Sequence, residues 1–223
     1  MFYKLTYYNK GPLKLTMKQI YRKQKRLFQF LLIILVVLSA GARAENRPVL
    51  QIKKFHLNLL HTMKTANNLG LQGRYKNLRE LVQEVFDLKG MVKLISGNHW
   101  RKAKLIEQKN LVEAFRNYSA ANYALRFNSF SGQKFITLSN TLGPSGSRVI
   151  TTQIVNKRSK PIQIAYVLLE TNGVWRVIDI ILAGGISELA TRRSEYRKIL
   201  TTGGTKALTI VLNSKTRRLL AAN

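Results

Sequence analysis

Apolar residues recur at every third or fourth position from residue 48 to residue 127, and at every second position through much of residues 134–182. Ile52, Phe55, Leu59, Met63 and Ala66 make one stripe, which predicts an amphipathic helix from Pro48 to about Asn68. Asn67, Asn68, Gly70 and Gly73 then break the pattern. Leu78, Val82 and Val85 predict a second helix over about Tyr75 to Phe86. After Asp87, Leu88 and Gly90 comes a short apolar helix, Met91 to Ile95, ended by Gly97 and Asn98 and followed by Trp100. Leu111, Phe115, Tyr118, Ala121 and Leu125 keep the 3.6 period over about Glu107 to Phe127, with Arg116, Asn117 and Arg126 on the other face.

Beyond residue 133 the period becomes two, which predicts strands at Lys134–Leu138, Val149–Val155, Ile162–Leu169 and Trp175–Leu182. Gly143-Pro144-Ser145-Gly146 separates the first pair. Residues 157–161 and Thr171-Asn172-Gly173 are short enough for antiparallel hairpins. Two helices close the chain, Ser187 to Leu200 and Thr205 to about Leu220, parted by Gly203-Gly204. Helices first, a four-strand meander next and helices last predict an α+β domain, with helices gathered on one face of a curved antiparallel or mixed sheet of about four strands. Residues 45–223 read as one such domain, folded from about 47 to 220.

The stretch from Val174 to Leu200 carries the chain's least expected polar groups. Asp179 sits in an otherwise apolar strand. Past Gly184-Gly185, Ser187 is placed as an N-cap with Glu188 near the positive end of the helix. Leu189, Tyr196 and Leu200 share a stripe, and Arg193 falls on it. A guanidinium facing a core needs a partner, and Asp179 is the nearest acid in sequence, so the two are expected to form a structural pair. Asp179 as a general base in a pocket is the competing reading.

Charge and composition narrow the function. The formal charge is +28; residues 1–44 hold nine of the 38 bases and no acid, which leaves +19 on the remainder. Such a surface attracts nucleic acid, anionic lipid headgroups or acidic proteins. Lys18, Arg22, Lys23, Lys25 and Arg26 precede an apolar run from Leu27 to Ala40, and Ala42-Arg43-Ala44 follows as a small-x-small site. That predicts a cleavable export signal over residues 1–44, with Met17 as a start of more usual signal length. The apolar run is shorter than the ~20 residues a membrane-spanning helix needs. Export argues against a nucleic-acid partner.

There is no cysteine, which excludes disulfides and thiolate chemistry. His56, His61 and His99 have no metal-like spacing and read as surface or half-buried residues. No G-x-S-x-G elbow and no phosphate-binding Gly-Lys loop is present. Phe115, Tyr118, Tyr123, Phe127, Tyr166 and Trp175 read either as core or as the lining of an apolar cavity.

Four segments stand in a recognisable order: residues 115–135, FRNYSAANYALRFNSFSGQKF; VITTQIV; KPIQIAYVLLETNGVWRVIDIIL; and GISELATRRSEYRKIL before a Gly-Gly and a last helix. Together they resemble the toluene-tolerance family of periplasmic lipid carriers, the MlaC-like proteins, over residues 48–220. The wording ISELATRRSEYRKILTTGGTKAL is similar to the hopanoid-associated HpnM branch. Arg193 matches the family's Arg-Ser-acid/amide-aromatic motif. The resemblance implies a soluble periplasmic protein with a deep apolar cavity that shuttles a phospholipid or hopanoid between the inner and outer membranes. It also implies an inner-membrane ABC transporter complex and an outer-membrane lipoprotein complex as partners, no catalytic residue, and no cofactor beyond the lipid cargo. On that reading the expected cavity walls are Val82, Val85, Phe86, Met91, Leu94, Ile95, Leu111, Phe115 and Tyr118 from helices, and Tyr166, Val177 and Ile181 from the sheet. Two other classes stand beside it: an enzyme on a cone-shaped α+β fold with Asp179 as base, and an exported polyanion binder.

Overall fold

The helical stripes bury as their spacing requires. Ile52, Phe55, Leu59, Met63 and Ala66 are all buried, and so are Leu78, Val82 and Val85. The computed structural model describes residues 47–157 and 159–221, so the expected export signal, with Met17, lies outside the described residues. The helices before the sheet are α1 (residues 47–64), α2 (Ala66–Val85), α3 (Leu88–Ser96), α4 (Asn98–Lys102) and α5 (Leu105–Arg126). The strands are β1 (Lys134–Leu142), β2 (Arg148–Asn156), β3 (Ser159–Thr171), β4 (Val174–Leu182) and β5 (Ile186–Ser187), and α6 (Glu188–Ala221) closes the chain.

Several boundaries differ from the sequence expectation, most of all between the first two helices. The chain turns at Thr65, and α2 runs through Gly73, because glycine with right-handed dihedrals costs a helix only about 1 kcal/mol. Within α2 the backbone leaves helical dihedrals at Gly70, with φ 59° and ψ −175°. The expected interruption of the last helix is real: Gly204 has φ 62° and ψ −157°, a conformation open essentially to glycine alone. Trp100, left unassigned by periodicity, is buried on the short α4.

The sheet is an antiparallel meander in the order β1-β2-β3-β4-β5. Asn172 and Gly173 both have positive φ, as a two-residue hairpin between β3 and β4 requires. Pro161 is tolerated in the central strand β3 because pairing with β4 starts only at Ile164. The fifth strand, too short for its own alternation signal, is made by the turn at Gly184 and Gly185 (φ 87° and 78°), which folds Ile186 and Ser187 back onto β4. Phe86 adds one parallel bridge to Val177, and Asp87 N–H donates to the Val177 carbonyl, so the α2–α3 junction is stitched to the sheet.

Ile150, Thr152, Tyr166, Leu168 and Val177 on one face of the sheet are buried. The apolar ones among them join α1, α2, α3, α5 and α6 in one core. The alternate residues Thr151, Gln153, Ala165 and Val167 stay half-buried. The protein is therefore an α+β fold with a five-stranded antiparallel sheet. Away from the core, Arg79 of α2 and Arg116 of α5 each hold Glu113 at 2.6 Å, and the Arg79 pair clasps α2 to α5. Burial raises the Glu113 carboxyl, but the two guanidiniums outweigh it and hold it below the usual carboxylate range.

Candidate functional site

A cavity of about 150 Å³ opens where the sheet meets α2, α3 and α5. The α2–α3 junction supplies Val82, Phe86, Leu88 and Met91, and α5 supplies Phe115, Tyr118, Tyr123 and Phe127. Ile164, Tyr166, Ile180 and Leu182 come from the sheet. The lining on α5 falls at spacings of three and four, so a single helix face makes a continuous wall. Five polar residues, Ser119, Asn122, Arg126, Glu188 and Arg192, complete the lining.

Beneath the cavity the aromatic side chains interlock. Phe55 meets Phe86, Tyr123 and Tyr166 edge-on, with ring centroids 5.5, 5.8 and 6.1 Å apart. His56, which periodicity leaves at the surface or half-buried, is only 5 % exposed. Its ring stacks on Phe135 at 3.9 Å, and Nε2 shares a 3.0 Å hydrogen bond with the Tyr166 hydroxyl. Burial lowers the His56 pKa from 6.5 to about 3 and raises those of Tyr166 and Tyr123. These groups are neutral at pH 7, so this region offers an apolar ligand a dry, uncharged wall.

Of the twelve expected wall residues, Val82, Phe86, Met91, Phe115, Tyr118 and Tyr166 line the cavity. Val85, Ile95, Leu111 and Val177 are buried in the core behind it. Leu94 points away and is 50 % exposed. Ile181 is half-buried but outside the lining, and its neighbours Ile180 and Leu182 take its place. The cause is a β-bulge: Val167 pairs with Asp179 while Leu168 pairs with Val177, so Ile178 is an extra residue. The bulge reverses the alternation of β4 between Val177 and Ile180. Leu88, Ile164, Ile180 and Leu182 were not anticipated. Tyr123 and Phe127 carried the cavity reading only as members of an aromatic set, and Trp175 from that set packs against the core instead.

The expected pair of Asp179 with Arg193 does not form. Asp179 Oδ2 accepts from Ser187 Oγ at 2.6 Å, and Oδ1 accepts from the backbone N–H of Leu189 at 3.0 Å and of Ile180 at 2.8 Å. Ser187 Oγ in turn accepts from Ala190 N–H at 2.9 Å, so hydroxyl and carboxylate cap α6 together. The carboxylate spends its acceptors on the helix start, and Arg193 is exposed. Arg192 is the inward arginine, on the same turn and one residue earlier. Asp179 does not line the cavity, so its setting is that of a brace. Among the described residues no group of three or more His, Cys, Asp or Glu could hold a metal ion, and no helix is long and apolar enough to cross a membrane.

Comparison with known proteins adds the decisive observation, since the family model for the MlaC protein matches residues 53–214. The chain belongs to the MlaC family. The match takes in every element that lines the cavity, from α2 to the start of α6. A solved structure of like fold is a phospholipid-binding protein from Ralstonia solanacearum, in complex with a phospholipid. It superposes with a TM-score of 0.65 and 19 % identity, covering 76 % of this chain and 96 % of that one. At that identity the likeness is one of fold.

Proposed function

We propose that this MlaC-family chain is a periplasmic lipid carrier. Its cargo is a phospholipid or, as the similarity to the HpnM branch implies, a hopanoid. The carrier moves it between inner and outer membranes as the soluble part of an ABC-type transport system, with an outer-membrane lipoprotein complex at the far side. Residues 1–44 act as the export signal and residues 45–223 as the carrier domain. The observation that carries the reading is the cavity, walled by twelve apolar or aromatic residues and backed by the neutral His56–Tyr166 pair. The phospholipid bound to the Ralstonia solanacearum protein of like fold supports it.

The energetics suit exchange better than catalysis. Burying one CH₂ is worth ~0.8 kcal/mol, so a sixteen-carbon chain gains about 13 kcal/mol on leaving water. A bilayer offers nearly the same, so a cavity that matches it lets lipid pass either way. An apolar cavity of about this size accepts one benzene-sized molecule. Acyl chains therefore enter by spreading its walls.

The test is mass spectrometry of solvent extracts from the purified protein, followed by transfer of fluorescent phospholipid between two vesicle populations. Copurifying lipid and accelerated transfer are expected. A protein that carries no lipid, and takes none up from vesicles, would rule the reading out.

A further inference from the structure

Away from the cavity, Leu105 and Ile106 stand side by side at the start of α5 and are 76 % and 60 % exposed. Single exposed apolar residues are ordinary, so it is the setting that distinguishes this pair. From Leu88 to Ile106 the chain carries five bases, Lys89, Lys93, Arg101, Lys102 and Lys104, and no acid. Lys109 follows Leu105 by four residues and Ile106 by three. All three therefore share the outward face of α5, opposite the buried stripe of Leu111, Phe115 and Tyr118.

The flanking acids are turned to other tasks. Asp87 accepts from Gly90 N–H at the start of α3, and Glu107 meets Thr205 at 3.2 Å and Lys206 at 3.6 Å on α6. Arg101 donates to Asn98 and keeps its charge. Lys102, Lys104 and Lys109 are exposed and form no ion pair among the described residues.

An aliphatic pair inside a collar of unpaired lysines is complementary to an anionic bilayer. The bases meet headgroups, and the apolar side chains reach the boundary between headgroups and acyl chains. An acidic protein fits this turn less well. Protein interfaces are depleted in lysine and enriched in Phe, Tyr and Trp, and Trp100, the nearest of these in sequence, is buried.

We propose that the turn from Lys102 to Lys109 is the face with which the protein docks on an anionic lipid surface, with Leu105 and Ile106 as the inserting pair. The assignment rests on the carrier reading, which brings the protein to a membrane, and adds an orientation to it. α5 carries the docking turn at its start and, ten residues after Leu105, the cavity wall that begins at Phe115.

The experiment measures binding of the purified protein to vesicles of equal parts phosphatidylcholine and phosphatidylglycerol at about 0.1 M salt, where charges reach ~10 Å. Replacing Lys102, Lys104 and Lys109 together by Gln is expected to weaken binding about a hundredfold. Leu105→Asn with Ile106→Asn is expected to weaken it about tenfold. The control replaces Lys134, Lys157 and Lys160 by Gln, an equal loss of charge beyond the far end of the 22-residue α5, ~33 Å along its axis. That variant is expected to stay within about threefold of wild type. All these side chains are exposed, so the variants keep the fold.

An equal loss in the control and the Lys102, Lys104, Lys109 variant would show net charge acting without a docking face and overturn the proposal. Unweakened binding by the Leu105, Ile106 variant would overturn the inserting pair. A wild type that copurifies with lipid yet ignores these vesicles would overturn the docking face and leave the carrier intact. A protein that carries and takes up no lipid, but binds vesicles through this turn, would uphold the face and overturn the carrier.

Discussion

His56 shows at the scale of one residue how burial turns a side chain into a pH response. Unfolded, its imidazole takes up a proton near pH 6.5; folded, it does so only near pH 3. The unfolded state therefore binds more protons between those values. Stability from this group is complete above pH 6.5 and is lost as pH falls toward 3, at ~1.4 kcal/mol per unit. Urea unfolding is expected to show a loss of about 2 kcal/mol between pH 7.5 and pH 5 from this group. His56→Phe shifts the whole curve, because Tyr166 loses its partner, but flattens that slope. Parallel wild-type and variant curves over the interval would contradict the assignment. The sequence could not show this burial, because the stripe through Phe55 and Leu59 passes beside position 56 and the aromatic wall that receives it comes from β1 and β3.

At the scale of elements, the joint between β4 and α6 is where sequence reasoning identified the right residues and the wrong contact. Ser187 was legible as an N-cap because its hydroxyl acts locally. The partner of Asp179 was not, since a stripe through Leu189, Tyr196 and Leu200 passes between positions 192 and 193. Asp179 turns to the nearer donors, the Ser187 hydroxyl and the Leu189 N–H. Asp179→Ala is expected to cost about 1–2 kcal/mol in thermal or urea unfolding, as loss of a helix cap does. Arg193→Ala, at an exposed position, is expected to stay within about 0.5 kcal/mol. Equal losses in the two variants would restore the ion pair that the structure lacks. The bulge at Ile178 belongs to the same scale. It turns Ile180 rather than Ile181 to the cavity, and a period-two pattern of Val and Ile carries no mark of it.

For the whole molecule, residues 45–223 carry a formal +19, and the proposed carrier role makes an anionic membrane surface the partner this charge would draw. Juxtaposed bases contribute ~1 kcal/mol each at an anionic surface, and their reach shrinks from ~10 Å at 0.1 M salt to ~3 Å at 1 M. Cosedimentation with vesicles rich in phosphatidylglycerol is expected to weaken steeply across that salt range and to be slight with neutral vesicles. Salt-independent binding would mean that insertion of apolar groups, not charge, holds the protein there. The sequence by itself determined the α+β class, the helical stripes, the order of the four long strands and a break within each of the glycine-bearing stretches, residues 67–73 and Gly203-Gly204. Those depend on local dihedral preference and on the periods of 3.6 and two. Only the tertiary structure decided which faces of those elements surround a cavity, which arginine turns inward and where the alternation of β4 reverses. Such features arise from contacts between segments as far as 110 residues apart, such as His56 with Tyr166, and no periodicity within either segment encodes them.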